Sequence, residues 1–479
     1  MSYPRLLICL ALLAGLLPGC KPHPPENSQA ETPGGWAYPS LSWKNGNAHW
    51  KLADRQGHLY RADLPASIHY LGVAQEGWAV YSQGGRYGYL NVRPGGPIMP
   101  AQYLYAKPFS AGYGVVLDTL GRWGYADSTG RHWPLEGLHY AGPFSGGAAI
   151  ALDEQGYRLI NPEILTGAQP SLRLPYTRVY DYYNGWAVVE QQGRFGYIDQ
   201  RGRLRLPPQY EGVTGFAEGY AYVQLPAGWA RIDTQGTPVE SVRYTQVYGY
   251  TEGLSAVQLG DRWGYVDAQG RLAIAHKFQD ARPFYNGLAL VKQEDRWGYI
   301  DRKGQQAFAE KQFNAFPFVE GRAACLRADR LGYLAPNGSW ALAPQFEDGQ
   351  DFSEGRAAVA QDGRTGYIDL SGRYVIQPQF ESGQAFLAGL APARQDSLWG
   401  YIDTKGQWVI PPQFEGALPV VDYYTLPVQQ QGKIGLYHRS GHWLIRPQFT
   451  GVPYFQAGIT QLQQAGQPVL LNQRGQQHK

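Results

Sequence analysis

Three sets of residues in this chain have types and spacing that bear on chemistry, and each recurs at a regular interval. The first is an acid column, Asp127, Asp199, Asp233, Asp267, Asp301, Asp369 and Asp403. Most of its members open an Asp-x-x-Gly sequence, where Asp bonds the backbone ahead and Gly supplies a positive φ. Carboxylates spread one per turn do not make a calcium cage, because hard cations need several oxygens close together. The second set is the histidines: His438 and His442 are four apart, but Ser440-Gly441 places a hairpin between them, so the helical metal-ligand geometry fails. The third is an arginine column, Arg86, Arg122, Arg194, Arg262, Arg296, Arg330 and Arg364, each two residues before a repeated glycine. Guanidinium groups in a ladder, with aromatic neighbours, suit an anionic glycan or an acidic protein. These seven arginines are the candidate binding stripe. No nucleophile elbow, phosphate loop or metal-ligand spacing appears in the sequence, so neither a catalytic residue nor a metal or other cofactor is expected.

The elements that carry these columns come from one repeated unit. Trp-Gly-Tyr stands at Trp123–Tyr125, Trp263–Tyr265, Trp297–Tyr299 and Trp399–Tyr401, with looser copies elsewhere. Anchors at 51, 88, 124, 158, 196, 230, 264, 298, 332, 366, 400, 435 and 469 define thirteen units. Those after 196 are spaced by 34 residues, once by 35, while the first four spacings are irregular. Each unit reads as three short strands: the anchor strand, a second strand stopped by Pro-Gln-Phe as at Pro378–Phe380, and a third entered through Phe-x-x-Gly as at Phe352–Gly355. Gly inside a strand packs nothing, so the recurrent anchor Gly calls for close approach by an aromatic ring or a backbone. The fold class is therefore all-β, a tandem array of three-stranded antiparallel units. Thirteen units exceed the 4–8 blades of one propeller, which favours an open curved β-solenoid, with two β-propellers in series, dividing near residue 195, as the alternative.

A constant order of Trp-Gly-Tyr, Asp-x-x-Gly, Pro-Gln-Phe and Phe-x-x-Gly resembles the WG-repeat family of bacterial β-repeat proteins. That resemblance implies a tandem β architecture used as an interaction scaffold, often in exported proteins, with no catalytic residues and no cofactor.

The N-terminus gives an address. Arg5 precedes the apolar run Leu6–Leu17, which ends in Leu17-Pro18-Gly19-Cys20. This is similar to a bacterial lipobox, with cleavage before Cys20 and acylation, palmitate included, of its thiol. Residues 1–19 are then a lipoprotein signal peptide. Residues 20–35 are the lipidated Cys and a Pro-rich tether, 36–195 irregular repeats and 196–479 regular ones. Lys21 in place of Asp favours the outer over the inner membrane of the cell envelope. Cys325, without a partner Cys, reads as a small core residue. A formal net charge of +3 gives no electrostatic case for nucleic acid. The expected function is a lipid-anchored envelope binding or scaffold protein. Its partners are the membrane through Cys20 and an envelope protein or anionic glycan; the alternative is an envelope enzyme with its site in the irregular repeats.

Overall fold

The computed structural model describes residues 37–478 apart from 45–46, 55–57, 63, 286 and 309–312. The expected signal peptide, Cys20 and most of the tether lie outside the described residues. Among those described, the chain folds into thirteen antiparallel sheets, one for each anchor, and nine of them have four strands. The unit around Gly366 is representative: Asp348–Gly349, Arg356–Gln361, Arg364–Asp369 and Tyr374–Phe380 pair in chain order.

Two expectations about the unit need correction. It is four-stranded rather than three-stranded, because the stretch after Pro-Gln-Phe begins the next sheet with a two-residue strand. Pro-Gln-Phe also does not stop its strand. Tyr367 pairs with Ile376 and Thr365 with Phe380, so Gly366 alone faces Gln377, Pro378 and Gln379. The extra residues form a bulge on the edge strand, where a proline without an N–H costs no ladder bond. This bulge explains the anchor glycine where the fourth strand is paired; at Gly298, whose sheet has three described strands, a β-carbon would meet nothing within 4 Å among the described residues. A β-carbon on Gly366 would lie 2.7 Å from both the Ile376 carbonyl oxygen and Pro378 N, and on Gly400 2.4 Å from the Ile410 oxygen. The close approach comes from backbone of the same sheet.

The Asp column closes hairpins, as its spacing implies. Asp267 Oδ1 accepts the backbone N–H of Gln269 at 3.0 Å and of Arg271 at 2.9 Å, and Asp403 does the same for Lys405 and Gln407. His438 and His442 face each other across such a hairpin. The irregular spacing after anchor 158 is taken up by a helical turn, Pro162–Leu165, whose first turn is capped by Asn161.

Successive sheets pack face to face, and three side-chain columns join them. The anchor tyrosines Tyr197, Tyr265, Tyr333, Tyr367 and Tyr401 are fully buried. Their hydroxyls donate to carbonyls 17 residues on, those of Thr214, Arg282, Gln350, Gln384 and Leu418, at 2.7–3.2 Å. The rings of the first four meet the next unit's phenylalanine edge to face, as Tyr333 meets Phe352 at 4.9 Å. The third column is a glutamate in a left-handed turn. Glu354 has φ 51° and the following Gly355 71°. Glu320 accepts the backbone N–H of Glu354 at 2.9 Å and Gly355 at 2.8 Å, while Glu354 accepts those of Ala388 at 2.7 Å and Gly389 at 2.8 Å. Each carboxylate thus satisfies two donors that no strand partner takes.

The array then meets itself. Tyr70 donates to Glu320 at 2.9 Å, Tyr87 to Glu354 at 3.0 Å, and Trp43 Nε1 to Asp369 at 2.9 Å. Further on, Tyr157 donates to the Ala457 carbonyl at 3.1 Å, and Asn472 meets His139 at 2.9 Å. Leu52, Leu71 and Leu90 share one core with Leu331, Phe352 and Ile368, and Ala457 and Ile459 join the core of Tyr157 and Val189. Units seven to nine apart are therefore in contact, while consecutive units remain neighbours throughout. Two propellers in series would not join residues 38–176 to residues 320–478. The fold is an all-β tandem array of small antiparallel sheets that winds far enough for its last units to pack on its first.

Candidate functional site

The arginine column sits at the hairpin between the second and third strands, at or just before the third strand's first residue. Arg194, Arg262, Arg296, Arg330 and Arg364 are exposed, and Arg86 and Arg122 partly so. Acids meet several of them: Asp118 and Glu136 at 2.7 and 3.0 Å from Arg122, Glu211 at 3.0 Å from Arg194, and Glu347 at 3.9 Å from Arg330. Such exposed pairs are worth about 0–1 kcal/mol each. The stripe exists as a rim, one guanidinium in each of seven units, with its charge partly matched.

A different place gathers chemistry. Where late units pack on early ones, a cavity of about 350 Å³ opens between strands and loops of six units. Its wall includes Tyr105, Trp123, Tyr140, Trp186, Phe216 and Phe455, and three ionisable groups, Lys107, Asp181 and Asp422. Asp181 lies in the loop between the strands Arg178–Val179 and Trp186–Gln191, and Asp422 in the long loop before Thr425–Gln430. One oxygen of each acid is occupied. Asp181 Oδ2 accepts the Tyr140 hydroxyl at 2.6 Å, and Asp422 Oδ1 accepts the backbone N–H of Tyr424 at 2.6 Å and Thr425 at 2.7 Å. The other oxygens, Asp181 Oδ1 and Asp422 Oδ2, are buried without a hydrogen-bond partner. Gly142 leaves the room for this, since a β-carbon there would stand 2.2 Å from Asp181 Oδ1.

Burial raises the pKa of both acids, with Lys107 opposing the shift; Asp422 goes from an ordinary 3.8 to about 6. Burial likewise lowers the Lys107 amine, against the pull of both acids. A raised acid favours the folded state below its unfolded pKa, and that contribution disappears as pH rises through about 6. At neutral pH the ionised Asp422 therefore costs on the order of 3 kcal/mol of stability. Buried acceptors left unmade are expensive, so this arrangement needs a reason beyond folding. Among the described residues no group of three or more His, Cys, Asp or Glu is placed to hold a metal ion. Cys325 is buried in the core of its unit, as its sequence context suggests.

Residues 195–225, 229–263, 263–297, 332–364, 366–399 and 399–433 match the family model of the WG containing repeat. This is a WG-repeat protein. No curated protein matches the chain. Among solved structures it is similar to PorZ, a surface component of the type-IX secretion system of Porphyromonas gingivalis, at 11% identity and a TM-score of 0.28, over 85% of this chain and 73% of that one. It is also similar to the extracellular domain of the putative one component system BT4673 of B. thetaiotaomicron, at 9% identity and a TM-score of 0.27, over 86% and 77% of the two chains. Likenesses this slight carry no argument about role.

The WG repeat separates structural residues from the rest. Lys107 occupies the same place in its unit as Gln350 and Gln384. All three donate to a carbonyl of the next unit's first strand, Lys107 to Ala141 at 3.5 Å, Gln350 to Gly383 at 3.4 Å and Gln384 to Ala417 at 3.1 Å. Lys107 is thus explained by the repeat. Asp181 stands where other WG units have Pro143, Pro283 or Pro317, and Asp422 falls in a loop lengthened by the one 35-residue spacing. Sequence reasoning passed over both acids because it followed the columns. Their departure from the columns was the available signal, although Asp351 occupies the place of Asp181 in its own unit.

Proposed function

We propose that this WG-repeat protein is a binding protein of the bacterial cell envelope, held at the outer membrane by lipid on Cys20. Its overlapping coil encloses a site for a small ligand. The observation that carries this reading is the pair of buried, unpartnered carboxylate oxygens of Asp181 and Asp422 in an aromatic cavity. Asp422 lies in a loop that departs from the repeat, and its ionised form lowers stability, a mark of a residue kept for function. The exposed arginine rim offers a second surface, to an acidic envelope protein or anionic glycan. Salt-sensitive retention on an immobilised anionic glycan, lost when Arg262, Arg296 and Arg330 become Ser, supports that use.

The test combines location and cargo. Several acyl chains, at about 0.8 kcal/mol per buried CH₂, hold a protein firmly to a membrane, so Cys20→Ser should leave the membrane fraction or remain unprocessed. A cleaved Cys20→Ser chain that stays with membranes as wild type does contradicts the anchor. The wild-type chain from its own envelope should carry a small molecule in native mass spectrometry. The Asp181→Asn/Asp422→Asn chain should not; identical cargo in both contradicts the site.

A further inference from the structure

We infer that the cavity between the turns of the coil takes a small organic cation, an ammonium group on an apolar body, with Asp181 and Asp422 receiving its N–H donors. This rests on reading the cavity as a binding site, and adds the class of ligand.

A carboxylate offers only lone pairs, so Asp181 Oδ1 and Asp422 Oδ2 lack donors and nothing else. The acids are held in place by their other oxygens, through Tyr140 and through the backbone of Tyr424 and Thr425. The Lys107 amine acts on both acids through its charge, while it donates to the Ala141 carbonyl and lies 5.0 Å from the centre of the Tyr140 ring.

The charge count agrees. Two carboxylates and one ammonium leave a net negative charge in a buried space, and one incoming cation cancels it. Burying a charge is costly unless it is paired and hydrogen-bonded, so ligand and site repair each other's deficit. The wall supplies the remaining contacts. Faces of Tyr, Trp and Phe attract cations, and the apolar rings of Phe216 and Phe455 suit the body that carries the charge. The volume of about 350 Å³ is at the small end of the roughly 300–1,000 Å³ usual for small-molecule sites.

The pH response follows from the groups around the acids. Asp422 faces Lys107, Tyr105 and Tyr424, while Asp181 faces Lys107, Tyr140, Tyr125 and Tyr157. The tyrosines stay protonated at neutral pH, because burial pushes their phenols up. Protonating an acid removes a charge and turns an acceptor into a donor, so cation binding should weaken as pH falls through about 6.

The test uses the full mature chain in detergent and two probes of one shape, phenethylammonium and phenethyl alcohol, by calorimetry with the fluorescence of Trp123 and Trp186 as a second readout. At pH 7 the ammonium should bind about tenfold or more tightly than the alcohol. Asp181→Asn and Asp422→Asn should each cost about tenfold in ammonium affinity, and so should a shift to pH 5. Both variants keep the oxygen that accepts the existing bonds, and a cooperative melt checks that they fold. Equal binding of ammonium and alcohol, or ammonium binding indifferent to both Asn variants, overturns the cation assignment and leaves the cavity as a site. Binding of neither probe, with no small molecule retained from the envelope, overturns the site as well.

Discussion

Glu354→Ala is expected to lower stability more than any other single change in the coil. Glu354 closes two junctions at once: its carboxylate holds Ala388 N–H and Gly389 N–H of the following unit and the Tyr87 hydroxyl of a unit eight positions earlier. Truncation strands three donors, all but one of them in buried contacts. At about 1–3 kcal/mol for each unsatisfied buried group, the loss should reach roughly 3–5 kcal/mol. Urea unfolding measures the loss, and hydrogen exchange locates it. Protection should fall around Tyr87 as well as around Ala388, although these segments are far apart in sequence. A midpoint equal to wild type would mean that Glu354 staples nothing.

Gly400→Val comes next. The new β-carbon would stand 2.4 Å from the Ile410 oxygen and 2.8 Å from Pro411 C and Pro412 N, all backbone of the same sheet. Backbone cannot step aside as a flexible side chain would, so the bulged strand must detach or the sheet must bend. Overpacking of this kind costs about 3 kcal/mol. The thermal midpoint should fall accordingly. An unchanged midpoint would show that the bulge tolerates a side chain and that the anchor glycine has another cause.

These two residues show how much of the molecule the sequence discloses. The anchors, the Asp turns and the number of units are legible because each recurs, and a local pattern of two-residue alternation implies strands. The hairpin at His438 and His442 is legible for the same local reason. The fourth strand is not, since two residues such as Asp348–Gly349 carry no periodicity. The bulge at Pro378 hides behind the ordinary rule that proline ends a strand. It extends the strand here because the facing residue is glycine.

The cavity is hidden for a different reason. Its wall joins loops from units 3 to 6 with loops from units 12 and 13, and no local pattern reports a contact across that separation. Tyr157 and Ala457 are each unremarkable in their own units. Only the winding of the coil brings them to 3.1 Å. Repeat arrays usually draw stability from nearest neighbours alone. This chain adds contacts between turns, and the site that departs from the repeat lies at those contacts.

The overlap of the turns is the central claim, and a disulfide tests it most directly. A β-carbon at Gly458 would lie 2.6 Å from the β-carbon of Tyr140, about 1 Å inside the roughly 3.5–4.5 Å that a disulfide spans, so a small outward shift of the Gly458 turn seats the bond. Cys325 is buried and in no disulfide, so it need not interfere. The Tyr140→Cys/Gly458→Cys chain, oxidised while folded, should form an intramolecular bond that speeds its migration on a non-reducing gel and is reversed by reductant. Each single variant should migrate as wild type. A double variant that folds cooperatively yet keeps two free thiols after oxidation would contradict the coil, and with it the cavity that the overlap creates.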